Sequence, residues 1–160
     1  TKDSAKIVAL DIYPSKLDEL RKRCYRNKIR SVQTKNVDDE KLLKTVKADA
    51  DGVLIDAPCS GLGVLKRNPD TKWNMTPKRL ADLTKIQEKL LQTYAPMVKK
   101  GGNLVYATCS ILPLENKIQV DNFLDSKVGS KFQLEKEHTY FSHLTGFDGF
   151  YCARLIKKCE

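Results

Sequence analysis

With 160 residues, 41% hydrophobic and 31% charged, the chain has the size and make-up of one globular domain able to bury a core, which excludes a disordered tail. Lys and Arg number 29 against 20 Asp and Glu, a formal charge of +9 that favours a polyanionic partner such as nucleic acid or an anionic membrane surface. No apolar run approaches the roughly 18 residues of a membrane span, nothing at the start resembles a signal peptide, and the cysteines include no C-x-x-C pair; the reading is a cytoplasmic protein with free thiols and no disulfide framework.

The first element is a short apolar run, Lys6-Ile7-Val8-Ala9-Leu10-Asp11-Ile12, ended by an acid as a buried parallel strand should be. Pro14 then opens a helix through about Asn27, with Leu17, Leu20 and Cys24 on one face and a basic row of Arg21, Lys22, Arg23 and Arg26 on the other, read as a solvated face. Ser31–Thr34 reads as a polar strand near a sheet edge, and Lys41 to Val46 as one helical turn. A central strand follows, Gly52-Val53-Leu54-Ile55-Asp56, and after it a long loop, Gly61 to Trp73, that bears glycine, basic residues and one aromatic. Thr76-Pro77 starts the next helix, whose Leu80, Leu83, Ile86, Leu90 and Leu91 recur at helical spacing; Pro96 kinks or ends it and Lys99-Lys100-Gly101-Gly102 completes the stop. Asn103–Thr108 is another buried strand. Pro113 opens a helix with Leu114, Ile118, Phe123 and Leu124 toward the core, and strands around Lys131–Glu137 and Gly149–Lys157 close the chain. Alternation of strand and helix at these intervals predicts an α/β fold, a mostly parallel sheet with helices on both faces and an antiparallel C-terminal strand.

Two strand ends carry the chemistry. Asp56-Ala57-Pro58-Cys59-Ser60-Gly61 follows the central strand, and Leu104-Val105-Tyr106-Ala107-Thr108-Cys109-Ser110 repeats its pattern, again delivering a cysteine beside small polar residues. In an open α/β sheet the carboxyl ends of the strands are where ligands bind. If the strands are neighbours, Cys59 and Cys109 face one cleft beside Asp56. An acid ending an early strand, Asp11, suits the vicinal hydroxyls of a ribose.

These stretches, with Arg67-Asn68-Pro69-Asp70-Thr71-Lys72-Trp73, Gly101-Gly102-Asn103, Glu115-Asn116 and Asp148-Gly149-Phe150-Tyr151-Cys152-Ala153, resemble the Sun-type (Fmu/RsmB) RNA cytosine-C5 methyltransferases along nearly the whole chain. The resemblance implies a Rossmann-like class I methyltransferase sheet, S-adenosyl-L-methionine as methyl donor, and a cytosine of ribosomal or transfer RNA as acceptor. It implies Cys109 as the nucleophile that adds to carbon 6 of the base, Asp56 as the group that hydrogen-bonds the pyrimidine edge and also lies near the cofactor, Cys59 as the residue that assists release, and Pro58 as the stiffener of that turn, itself counted with Asp56 among the cofactor-binding residues. Asp11 matches the ribose-binding acid. The adenine-reading acid falls near Asn36 or Val37, with Asp38 next door. Arg67 and Lys72 match a stretch assigned to RNA or to loop packing, with Trp73 as a core residue.

The family's first strand and its glycine-rich cofactor loop are not in the sequence before Asp11. The chain therefore reads as the C-terminal part of a catalytic domain, with little activity by itself and apolar edges left beside Ile7–Leu10 and Val53–Ile55. Two other classes stay open: a methyltransferase acting on exocyclic amines, which needs no thiol, and a non-catalytic RNA-binding module that keeps the fold. A metal site from Cys59, Cys109, His138 and His143 lacks ligand spacing, so no metal is expected. Cys24, Cys152 and Cys159 read as core or surface thiols.

Overall fold

A computed structural model describes residues 3–37 and 49–159, so the turn expected over Lys41–Val46, and Asp38, lie outside the described residues. The chain forms two compact units, Thr1–Val46 and Lys47–Glu160.

In the first unit, β1 (Ile7–Asp11) pairs in parallel with β2 (Val32–Asn36), joined through α1 (Pro14–Arg26). Tyr13 caps α1 in extended conformation and Pro14 occupies its first turn, where a missing N–H costs nothing. The helix buries Leu17 and ends with Arg23 and Arg26 against the negative end of its dipole. The register sets Asp11 directly opposite Asn36 at the carboxyl edge of the pair. Ile7 and Val8 are each 43% exposed, as expected for a strand hydrogen-bonded on one edge among the described residues.

The second unit is a four-stranded sheet in the order β3-β4-β6-β5, from β3 (Ala50–Asp56), β4 (Val98–Thr108), β5 (Phe132–Tyr140) and β6 (Phe150–Lys157). β3 and β4 are parallel, whereas β6 runs antiparallel to both β4 and β5. The sheet is therefore mixed rather than mostly parallel. The short 141–149 connection explains this: it can close only a hairpin, since a parallel return needs a longer crossover.

Helices α2 (Pro77–Tyr94) and α3 (Lys117–Leu124) are linked by Gln119 Nε2 donating to the Thr84 carbonyl. Thr76 Oγ1 caps α2 by accepting from Arg79 N at 3.2 Å. Leu91, Val120 and Phe123 pack in one core with Ile55, Leu104, Tyr106, Tyr151, Ala153 and Leu155, which alternate along their strands onto the same sheet face. Burying side chains of this size is worth roughly 1.5–3 kcal/mol apiece. The other face is only partly covered: Leu54 is 69% exposed and Arg154 pairs with Glu135. Helices on both faces are thus not found among the described residues of this unit.

Two local expectations change. Lys99–Gly102 does not precede β4 but interrupts it, with Gly101 at φ 72° and the β3 register jumping between Ala50 and Gly52. After Pro113 the chain makes one 3-10 turn, Pro113–Glu115, and breaks at Asn116 before α3 starts. That break resets the helical phase. Leu114 and Ile118 end up 50% and 40% exposed, while Glu115, Asn116, Gln119 and Val120 turn inward.

Candidate active site

Level strand ends bring the two cysteines together. Asp56 lies opposite Ala107, and Ala57 N donates to the Ala107 carbonyl at 2.9 Å, so β3 and β4 finish side by side. Asp56 is exposed at this edge, whereas Ala57 is buried. Gln87 of α2 then fixes the turn, its Nε2 donating to the Pro58 carbonyl at 2.9 Å and to Glu115 Oε1 at 3.1 Å. Both are acceptors, which dictates the amide's orientation and leaves Gln87 Oε1 buried with no donor among the described residues. The Cys59 and Cys109 sulfurs sit 3.2 Å apart.

The two turns have the same internal wiring. Cys59-Ser60-Gly61-Leu62 and Cys109-Ser110-Ile111-Leu112 each fold so that the leucine N–H donates to the serine hydroxyl, at 3.4 Å from Leu62 and 3.1 Å from Leu112. Their thiols differ. Cys109 is lowered to about 7, chiefly because the Cys59 S–H donates to its thiolate; partial burial and the negative charges of Asp56 and Glu115 push the other way. Cys59 is raised far above the ordinary thiol range by that same hydrogen bond, by burial and by the Cys109 charge. The contact thus favours ionisation of the Cys109 sulfur and opposes that of its neighbour.

A third segment completes the site. Gly63 N donates to the Cys109 carbonyl at 2.9 Å and Gly149 N donates to the Gly63 carbonyl at 2.7 Å, stitching the loops after β3, after β4 and before β6. A Cβ on Gly63 would collide with the Gly149 carbonyl and approach the Cys109 carbonyl to 2.8 Å, so no side chain fits there. Arg67 pairs with Asp148 at 2.7 Å across the same loops, and Lys72 Nζ lies 4.8 Å from the Trp73 ring centroid. Trp73, expected in the core, is 77% exposed. Its helical turn, Thr71–Asn74, lies in the loop ahead of α2, out over solvent rather than against the sheet.

In the first unit, Asp11 Oδ1 accepts from Tyr13 N at 2.8 Å, with Lys16 Nζ 3.9 Å from Oδ2. His138 rests against the Tyr140 ring and His143 against Phe141.

Sequence reasoning singled out Glu115-Asn116 as part of the family resemblance but gave no role to these residues beneath the cysteines. Glu115 is fully buried and accepts from Ser60 N, Ser60 Oγ, Ser110 Oγ and Gln87 Nε2. Asn116 receives the Thr108 hydroxyl at 2.6 Å and donates to the Ser110 carbonyl at 2.9 Å. The available signal was the repeated Cys-Ser-x-Leu, together with a Glu-Asn pair breaking an otherwise apolar helical pattern.

The α/β fold, with its parallel β3–β4 pair, matches that of solved class I methyltransferases. Its nearly full-length likeness to NSun6 from Pyrococcus horikoshii, crystallised with SFG, gives a TM-score of 0.85 at 24% identity, covering 99% of this chain and 43% of that one. Residues 1–156 match the family described as 16S rRNA methyltransferase RsmB/F, and the chain belongs to that family. Among its relatives, ribosomal RNA small subunit methyltransferase B of Salmonella arizonae is 43% identical over 118 residues, covering 68% of this chain and 26% of the relative. The protein of the same name from Proteus mirabilis is 35% identical over 154 residues, covering 96% of this chain and 36% of its own length. The chain thus spans about a quarter to two-fifths of the length of these three proteins.

Proposed function

We propose that this chain carries the catalytic cysteines of an S-adenosyl-L-methionine-dependent enzyme that methylates carbon 5 of a cytosine in RNA, with ribosomal RNA the favoured substrate. The observation that carries the reading is the pair of sulfurs 3.2 Å apart at the shared end of β3 and β4, beside Asp56. Family membership and the names of the relatives support the choice of RNA.

Carbon 5 of cytosine is a poor nucleophile. The Cys109 thiolate adds to carbon 6, forming a C–S bond, while a proton is delivered to N3 through the Asp56 carboxyl, whose other oxygen accepts from the amino group; that proton neutralises the charge pushed into the ring and leaves an enamine nucleophilic at carbon 5. Carbon 5 then takes the methyl group and still bears its proton. Removing that proton lets the electron pair re-form the double bond and expel Cys109. Cys59 suits this step because of what holds its own proton beforehand. Its acidity is suppressed first by the hydrogen bond to the Cys109 thiolate, then by burial and by the Cys109 charge; the hydrogen bond and the charge vanish once the Cys109 sulfur is bonded to carbon, so Cys59 releases its proton to solvent and, as a thiolate, takes the one from carbon 5. Pro58 limits the turn between acid and thiol, and Gln87 fixes its carbonyl.

The bound cofactor supplies an electrophilic methyl group. Asp11 and Asn36 fit such a ligand by their chemistry: a carboxylate acceptor for vicinal hydroxyls and an amide for a heterocycle edge, side by side at one strand edge. Arg67 and Lys72 would meet phosphates, adding the salt-sensitive part of binding. The target base must leave its stack, at a cost of roughly a few kcal/mol, to reach the cysteines.

The test uses RNA containing 5-fluorocytosine, whose carbon 5 carries no proton to remove. The intact protein with S-adenosyl-L-methionine should form a stable protein–RNA adduct, and Cys109→Ser should not. RNA binding with no adduct in the unaltered protein would instead identify a non-catalytic RNA-binding module.

A further inference from the structure

Glu115 and Asn116 touch none of the reacting atoms in that reading, yet they hold both cysteine turns. Glu115 Oε1 accepts from Ser60 N at 2.7 Å, and Oε2 accepts from the Ser60 and Ser110 hydroxyls, each at 2.5 Å. A serine has one hydroxyl proton. With both protons turned to Oε2, the 3.1 Å approach of the two serine oxygens is held by the acceptor they share and not by a bond of their own. Asn116 brackets Cys109, reaching the Thr108 hydroxyl on one side and the Ser110 carbonyl on the other. The Tyr106 hydroxyl donates to the Glu115 carbonyl at 2.7 Å and anchors the pair to β4.

We infer that Glu115 and Asn116 form a positioning device that yokes the two Cys-Ser turns and sets the approach of the Cys59 sulfur to the Cys109 sulfur. The inference deepens the proposed function and rests on Cys109 being the reacting thiol. A thiol is a weak donor and cannot fix a 3.2 Å contact between two loops. Hydrogen bonds to a buried carboxylate are about twice as strong as neutral ones, and here they bind the residue after each cysteine. The same turns seat both thiols.

The sign of one effect separates a yoke from a bystander. The negative charge of Glu115 by itself makes the Cys109 thiolate harder to form. Removing that charge would acidify Cys109 if charge were all that mattered; loosening the yoke withdraws the Cys59 proton and does the reverse.

The experiment follows alkylation of Cys109 by iodoacetamide against pH in the intact protein, read by peptide mass spectrometry, with a thermal melt to confirm folding. Glu115→Gln should move the midpoint up from about 7 toward the ordinary thiol value, slowing alkylation at neutral pH by about tenfold. Ser60→Ala and Ser110→Ala, which each cut one arm, should shift it the same way by less. A midpoint that falls or stays put in folded Glu115→Gln overturns the inference. Should that variant fail to fold, unmoved midpoints in both serine variants overturn it equally. Alkylation needs neither RNA nor cofactor, so a missing 5-fluorocytosine adduct in the unaltered protein would defeat the methyltransferase reading and leave this result standing.

Discussion

The Cys59 and Cys109 turns are the same piece of chain used twice, with the same serine and the same leucine N–H closing each hydrogen bond, yet one thiol is acidic and the other is not. The difference lies outside the turns. The shared hydrogen bond lowers Cys109 and raises Cys59, and burial opposes ionisation of both. Local sequence fixes the shape of such a turn, and the partner fixes its chemistry.

Breaking the comparison outright gives the largest expected effect. Cys109→Ser should remove the covalent adduct and reduce methyl transfer by about a thousandfold or more, as loss of a covalent nucleophile does. Cys59→Ala should do something different in kind: adduct still forms but persists, so that protein–RNA complex accumulates on unmodified cytosine and turnover falls. In the same variant the alkylation midpoint of Cys109 should climb from about 7 to roughly 8.5, because the donor is gone. Equal loss of adduct in both variants would show that the two turns are not divided in function.

A pH series sharpens the contrast without any substitution. Because Cys109 is lowered, its alkylation should rise with pH, reach half its plateau near pH 7, and fall about tenfold for each unit below that. Cys59, raised by the same contact, should react second, only on protein whose Cys109 is already alkylated.

Structural changes come next. Gly63→Ala must push the backbone of Gly149 or Cys109 aside and should cost about 2 kcal/mol or more of stability in a denaturant titration. It should blunt the acidity of Cys109 as well, since the displaced groups belong to its turn. Tyr106→Phe deletes one buried hydroxyl bond, to the Glu115 carbonyl, and should cost about 1 kcal/mol by the same measurement.

Strand and helix positions were legible from apolar periodicity and from proline and threonine caps: α1 begins at Pro14 and α2 at Pro77, as the sequence implies. The cysteines were legible because each follows an apolar run, and register alone then makes them neighbours. What periodicity cannot carry is phase after a break. The 3-10 turn at Pro113 turned Leu114 and Ile118 outward and Glu115 inward, hiding the carboxylate beneath the site from any count of apolar positions. Trp73 misled for a related reason: large aromatic residues are mostly buried, and this one stands in solvent beside Lys72.

Gly63 fits only where the Cys109 carbonyl and the Gly149 backbone close around it, and a Cβ on Gly149 would in turn strike Ile111 Cγ2 at 2.6 Å. Three connections are thereby denied room to drift. Anyone retargeting this scaffold to a different nucleotide would have to leave that knot alone and vary the outer rims, residues 66–70 and 140–147, where side chains are exposed.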